Sequence, residues 1–191
     1  MAHIFDEKMM KKLDSPERRK EMPPLETLKR MGLREGDIAA DIGCGIGFFS
    51  LSAAQIVGPS GRVYAFDISE AMLEELTSRA KKEGILNLEA LLSTQYEFPV
   101  KAEAVDFCLI SNVLHEVDER KRLLEAINHM LRPGGKLAII EWKKLKMEQG
   151  PPPEVRISQD ELESLLGDCG FAVSGKGDIS EKFYWVSAIK G

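Results

Sequence analysis

The chain has 191 residues, 43% hydrophobic and 30% charged, which suits a soluble protein with enough apolar material for a real core. A net charge of -5 argues against a dedicated nucleic-acid binder, and the cluster Arg18-Arg19-Lys20, flanked by Glu17 and Glu21, reads as a solvated helix face. Three cysteines in no paired spacing (Cys44, Cys108, Cys169) indicate neither a disulfide framework nor a metal site. With no apolar run of membrane length and a start unlike a signal peptide, the expectation is a cytoplasmic protein.

Residues 1–31 precede the first strand and form a helical lead-in, distinct from a main domain over 32–191. Phe5, Met9 and Leu13 fall four apart on one helical stripe. Asp14-Ser15-Pro16-Glu17 is a helix start, and Pro23-Pro24 begins a second helix that ends before Gly32. This segment either covers a face of the sheet or folds over a bound cofactor and walls an acceptor pocket. An apolar strand beginning at Ile38 runs into the carboxylate Asp41 and leads through a glycine loop to a helix over Gly47–Val57, broken by Gly58-Pro59-Ser60-Gly61. The strand Arg62–Asp67 precedes a helix capped by Ser69 and running to about Lys82, with Ala71, Leu73, Leu76 and Ala80 as its apolar positions. Further strands are expected over Leu88–Leu92 and Ala104–Ser111. A helix over Asp118–Leu131 carries Leu123, Leu124, Ile127 and Met130 on one face, and Pro133-Gly134-Gly135 separates it from a strand over Lys136–Trp142. Lys143–Val155 reads as a loop. Ser158 and Glu161 form a capping box, with Ile157 and Leu162 as its hydrophobic staple, and open a helix ending near Gly170. Strands over Phe171–Ser174 and Lys182–Ile189 close the chain. Alternating strands and helices predict an α/β, doubly wound parallel sheet covered on both faces.

The stretch Asp41-Ile42-Gly43-Cys44-Gly45-Ile46-Gly47 carries most of the functional information. Glycines at alternate positions let the backbone turn sharply and let a ligand lie against the main chain. About twenty residues past the last glycine, Asp67 ends the second strand, placed to accept hydrogen bonds from ribose hydroxyls. A dinucleotide fingerprint is G-x-G-x-x-G and faces a pyrophosphate. Here the spacing is G-x-G-x-G, and Asp41, two residues before Gly43, would repel a pyrophosphate while favouring a ligand with an ammonium and a sulfonium. S-adenosylmethionine (SAM) fits that description and NAD does not.

Through Asp41-x-Gly43-x-Gly45-x-Gly47, Asp67 and Leu131-Arg132-Pro133-Gly134-Gly135, the chain resembles the class I SAM-dependent methyltransferases, over roughly residues 25–191. Its nearest general likeness is to the small group that includes the ubiquinone/menaquinone-biosynthesis methyltransferases. The resemblance implies a Rossmann-like sheet of seven strands, mostly parallel, with the last inserted antiparallel beside the fifth. It implies that Gly43, Cys44, Gly45 and Gly47 contact the methionine part of SAM and that Asp67 takes the ribose hydroxyls. Ile68 and Met72 would flank the adenine. Where the family commonly has an acidic residue reading the adenine amino group, this chain has Ser93-Thr94-Gln95-Tyr96, so Thr94 or Gln95 must substitute. Ser111 and Asn112, at the end of the fourth strand, complete the cofactor set.

Methyl transfer from a sulfonium is an in-line displacement on an activated carbon, so alignment and water exclusion are the main requirements. A base is needed only if the acceptor is protonated at working pH. His115 is the best-placed titratable group on the acceptor side. It is either that base or, the reading preferred on sequence alone, a histidine that shapes the helix start or bonds to backbone. His3 and His129 are poor candidates, and Tyr96 and Trp142 either line the pocket or simply pack. Ser111-Asn112-Val113-Leu114 is not the motif of enzymes that methylate amide or base nitrogens, and no carboxylate set marks a magnesium site. A small organic acceptor is expected. The rival readings are a SAM-binding regulatory or scaffold protein and, further off, an NAD-dependent oxidoreductase.

Overall fold

The computed structural model describes residues 13–191, so the Phe5–Met9 part of the N-terminal stripe lies outside the described residues. Helix α1 (Pro16–Glu21) starts where the Ser15 hydroxyl accepts the Arg18 amide at 3.2 Å, with a proline in its first turn. Helix α2 (Pro24–Met31) stops at Gly32, whose φ of 97° lies in the left-handed region that closes helices.

Seven strands follow: β1 (Ile38–Ile42), β2 (Arg62–Asp67), β3 (Leu88–Leu92), β4 (Val105–Ser111), β5 (Leu131–Trp142), β6 (Phe171–Asp178) and β7 (Phe183–Lys190). They form one sheet in the order β3-β2-β1-β4-β5-β7-β6. β7 runs antiparallel to both β5 and β6, and the other pairs are parallel. Helices α3 (Ser50–Val57), α4 (Glu70–Lys82), α5 (Arg120–Met130) and α6 (Gln159–Asp168) complete the frame.

Strand β4 shows how the two layers are divided. Cys108 and Ile110 point into a core with Leu123, Leu124 and Ile127 of α5 and Leu162 and Leu166 of α6. Phe107 and Leu109 point the other way, into a core with Met22, Leu28 and Met31 of the lead-in and Ala53 and Ala54 of α3. This period of two, apolar on both faces, is what a central parallel strand requires. Leu73, Leu76 and Ala80 of α4 pack with Ala65, Leu51 and Cys44. The capping box of α6 is formed as expected: Ser158 accepts the Glu161 amide while the Glu161 carboxylate accepts the Ser158 amide at 2.7 Å.

Four boundaries differ from the sequence expectation. Helix α3 begins at Ser50 rather than Gly47, because Gly47 has φ 86°. Helix α5 begins at Arg120 rather than Asp118, preceded by a 3-10 turn over Leu114–Glu116. Strand β5 begins at Leu131, with Pro133-Gly134-Gly135 inside it. Leu131 pairs with Val105 and Lys136 with Phe107, so the prolyl-glycyl stretch is absorbed as a bulge. Strand β6 runs on through Gly175 and Gly177 to Asp178. A Cβ at either glycine would lie 3.1 Å from the Trp185 ring of β7, so these glycines seat a tryptophan and do not mark a turn. Among the described residues no helix is long and apolar enough to cross a membrane.

Candidate active site

The carboxyl ends of β1, β2, β4 and β5 converge, as in doubly wound sheets generally, and bring the sequence-selected residues to one edge. After β1 the chain turns back: the Gly43 and Cys44 amides donate to the Phe66 carbonyl of β2 at 2.8 and 2.9 Å. Gly43, Gly45 and Gly47 have φ of 68°, 52° and 86°. A Cβ on Gly43 would meet Val113 at 2.3 Å, and one on Gly47 would meet Leu76 at 2.3 Å. The left-handed φ favours glycine at those two positions, and a Cβ at either would also displace a neighbouring side chain. Among the described residues a Cβ on Gly45 meets nothing nearer than Leu13 at 3.6 Å, which leaves its main chain approachable on that side.

Asp67 is fixed beside that face. Its Oδ2 accepts the Gly45 amide at 2.8 Å and its Oδ1 the Ser69 amide at 3.0 Å. Cys44 is buried, and burial pushes its thiol well above the ordinary range, so it is chemically quiet.

Asp41 lies beneath the loop, only 4% exposed, with Ser50 donating to its Oδ2 at 2.5 Å. Burial raises its pKa to about 6, the Asp67 charge adds to this, and the Ser50 bond and Arg18 oppose it. Its charge reaches the loop through space and not by an exposed oxygen. The lead-in supplies the opposing cation. Arg18 of α1 lies 4.4 Å over the Phe48 ring and donates to the Leu13 carbonyl at 2.7 Å. Arg79 of α4 joins the Ile46 carbonyl of the loop, at 2.8 Å, to the carboxylate of Asp14. Thus α2 serves the core while α1 rests against the glycine loop.

On the adenine side Ile68 is 43% exposed next to Asp67, whereas Met72 is buried under the α4 cap. The Thr94 hydroxyl accepts the Tyr96 and Glu97 amides at 3.3 and 3.0 Å and so closes its own turn. Gln95 is half-buried beside it. Tyr96 is held away from the loop: its hydroxyl accepts the Glu119 amide at 3.3 Å, and Arg122 lies 4.5 Å over its ring.

The ends of β4 and β5 carry the least expected features. Ser111 Oγ and Asn112 Oδ1 are buried without a hydrogen-bond partner, and Asn112 has φ 56°. Buried polar atoms normally find partners, so these two, without one among the described residues, stand out at the edge where doubly wound sheets bind ligands. His115 is buried, with Nδ1 2.7 Å from Oε2 of Glu141, itself wholly buried at the end of β5. Burial pulls the imidazole down, but the Glu141 bond and the charges of Glu141 and Glu116 carry it above its ordinary value. Neither of the sequence readings of His115 foresaw a carboxylate partner. The signal was present: an acidic residue closing the apolar run Leu137-Ala138-Ile139-Ile140 has to be paired.

The 143–155 loop is organised by Arg156, 2% exposed, which was not singled out from the sequence. Its guanidinium donates to the carbonyls of Pro151, Lys143, Leu145 and Gln149 at 2.7–3.0 Å and lies 5.4 Å from the Trp142 ring centre. Trp142 in turn packs against Phe183, with 4.4 Å between ring centres, in the second core.

A doubly wound sheet with β7 reversed between β5 and β6, a G-x-G-x-G loop after β1 and an acid ending β2 define the class I methyltransferase architecture. Residues 8–151 match the model of the ubiE/COQ5 methyltransferase family. The chain belongs to that family. A crystal structure of a SAM-dependent methyltransferase from Aquifex aeolicus is 35% identical, covers 98% of this chain and 100% of its own, and superposes with a TM-score of 0.93. A demethylmenaquinone methyltransferase of Lactococcus lactis is 34% identical over 116 residues, 61% of this chain and 46% of that protein. The corresponding protein of a Geobacillus strain is 29% identical over 61% of this chain and 50% of its own length. The chain therefore spans about half the length of the curated relatives it matches.

Proposed function

We propose that this protein is a cytoplasmic SAM-dependent methyltransferase acting on a small organic acceptor. The observation that carries the reading is Gly45, whose amide the Asp67 carboxylate accepts and whose Cβ side is open among the described residues, together with Ser111 Oγ and Asn112 Oδ1 at the end of β4, buried and without a hydrogen-bond partner among those residues. When bound, SAM supplies an electrophilic methyl carbon on a positively charged sulfur. The residues fit that group. The main chain at Gly43, Cys44, Gly45 and Gly47 lies along its methionine part, and Asp67 accepts from the ribose hydroxyls. Ile68 stacks on the adenine, with Met72 supporting it from below. Thr94 already spends its hydroxyl on a turn, which leaves Gln95 as the better reader of the adenine edge. Ser111 and Asn112 orient the amino-acid end, and the charge of Asp41 under the loop favours the cationic ligand over a pyrophosphate. The described part of the lead-in, residues 13–31, closes the loop side, and the β4 and β5 ends receive the acceptor.

The names of the curated relatives make demethylmenaquinone the first acceptor to try. Calorimetry with SAM, S-adenosylhomocysteine and NAD tests the cofactor. Micromolar-scale binding of the first two without competition by NAD is expected. Binding of NAD in their place would return the oxidoreductase reading. Transfer of label from SAM to acceptors separates an enzyme from a SAM-binding scaffold.

A further inference from the structure

Beyond the cofactor site, the most developed cluster of titratable groups joins β5 to the turn after β4. Glu141 grips His115 at two points: its Oε2 lies 2.7 Å from the ring Nδ1, and its Oε1 accepts the His115 amide at 3.3 Å. The Trp142 amide also donates to Oε2, at 3.3 Å. Both oxygens of Glu141 already accept backbone amides, so this side chain serves as the acceptor, the Nδ1 position carries the proton and Nε2 is left as the basic atom. Nε2 lies 3.7 Å from Oε1 of Glu116, whose side chain is 29% exposed and so reaches water. That distance is too long for a hydrogen bond and short enough for an ion pair once the ring is protonated. A histidine that merely filled the core would not need an oriented, wholly buried carboxylate on one nitrogen and a half-exposed one on the other. Among the described residues no three such groups are disposed to hold a metal ion, so ligation does not account for the arrangement.

We infer that Glu141, His115 and Glu116 form a proton-release path, with Glu141 as the positioning residue for His115, and that the acceptor is one whose attacking atom carries a proton it must lose. This rests on the methyltransferase reading above. In the transfer the acceptor atom forms a bond to the methyl carbon while the carbon–sulfur bond breaks, its electron pair staying on sulfur. The acceptor's proton passes to Nε2 of His115, whose positive charge is then held between two carboxylates, and leaves to water at Glu116. Phenols, hydroquinones and comparable acidic groups meet the requirement; thioethers and tertiary amines have no proton to give.

The surrounding charges agree with this assignment. Burial raises Glu116 to about 7, with Glu141 and Asp67 adding to it and His115 opposing, which suits exchange of a proton with water near neutrality. Arg120 of α5, bonded to the Leu114 carbonyl at 3.1 Å, opposes protonation of His115. Tyr184 of β7 faces Glu141 and stays protonated, since burial pushes its hydroxyl upward.

The test is side-chain nitrogen NMR of the three histidines in the full chain without cofactor, His115 being assigned by His115→Ala. Expected are the Nδ1–H tautomer and a titration above that of an exposed histidine. In Glu141→Gln that titration should fall by about one pH unit or more, the scale on which a neighbouring carboxylate acts. Glu141→Asp, which keeps the charge, should recover part of the shift and serves if the glutamine variant does not fold. With label-bearing SAM, a panel of simple phenols and hydroquinones should be methylated in preference to thioethers and tertiary amines. On those substrates His115→Ala should lower kcat by about 10²–10⁴-fold. Glu116→Gln should move the pH profile of kcat without changing the tautomer. An ordinary titration of His115 in the wild type, an unchanged one in Glu141→Gln, or a panel without a methylated proton-bearing acceptor overturns the inference. Failure of SAM to bind in calorimetry would instead sink the reading beneath it, and the NMR result would stand apart.

Discussion

Replacing Asp41 by Asn isolates the energetic consequence of a carboxylate under the glycine loop. Asp41 has a folded pKa near 6 against an ordinary 3.8. Between those values the folded state binds more protons than the unfolded state, so stability is greatest below pH 3.8 and is lost as pH rises to 6. The shift of about two units corresponds to a penalty of about 3 kcal/mol, fully developed above pH 6. Asn keeps the volume, and its carbonyl oxygen still accepts from Ser50, but it carries no charge. Urea unfolding of the wild type and Asp41→Asn should be compared in steps from pH 4 to pH 7. The wild type should lose about 2.4 kcal/mol relative to the variant across that range, since part of the penalty is already present at pH 4. The comparison cancels Glu116, whose carboxyl titrates alike in both proteins. Parallel stability curves would refute the reasoning, since they would mean that Asp41 titrates as an exposed acid. SAM affinity should move the other way, rising with pH in the wild type and staying flat in the variant, because a bound cation favours the ionised carboxylate.

Asp67→Ala should weaken SAM binding by about 1.5–3 kcal/mol in calorimetry, the value of a charged hydrogen bond; wild-type affinity would remove Asp67 from the site. Gly45→Val should abolish SAM binding while the far-ultraviolet spectrum stays native. Among the described residues its Cβ meets only Leu13, and the φ of 52° costs about 1–2 kcal/mol. Arg156→Ala should destabilise the protein by about 2–4 kcal/mol, because four carbonyls lose their charged donor. Amide exchange should accelerate over residues 143–155 first, and uniform acceleration through the sheet would show that Arg156 is not the organiser of that loop.

The sequence disclosed what is written locally. Capping at Ser15, Ser69 and Ser158, the stop at Gly32 and the apolar periods of β4 and α5 all depend on residues a few positions apart. The turn of the glycine loop and the place of Asp67 at the end of β2 were legible because a backbone with positive φ imposes a glycine spacing. What stayed hidden depends on partners distant in the chain. Gly175 and Gly177 look like a turn until Trp185 is seen above them. Glu141 is an odd acid in an apolar strand until His115, 26 residues earlier, comes to 2.7 Å. Arg156 resembles a surface arginine until four carbonyls of the preceding loop surround it. The reversed place of β7 likewise has no periodic trace and came only with the family resemblance.

The distribution of charge along the site edge discriminates between classes of cofactor more than between acceptors. Asp41, Asp67, Glu116 and Glu141 stand at or near the ends of four neighbouring segments, and two of them have raised pKa values to which the other acids contribute. Burial is the larger cause in both, but the mutual repulsion is an additional cost. A fold bears such a cost where a cation relieves it. Arg18 acts on Asp41 from the lead-in, and His115 acts on Glu116 and Glu141 from the turn after β4. A ligand with an ammonium and a sulfonium lying between these two ends would relieve more of it, and a pyrophosphate would add to it. That preference follows from the sign of the charges, which a sequence states outright. Acceptor choice, under the proposed reading, depends instead on shape at the ends of β4 and β5, and shape is a property of contacts that no short motif records.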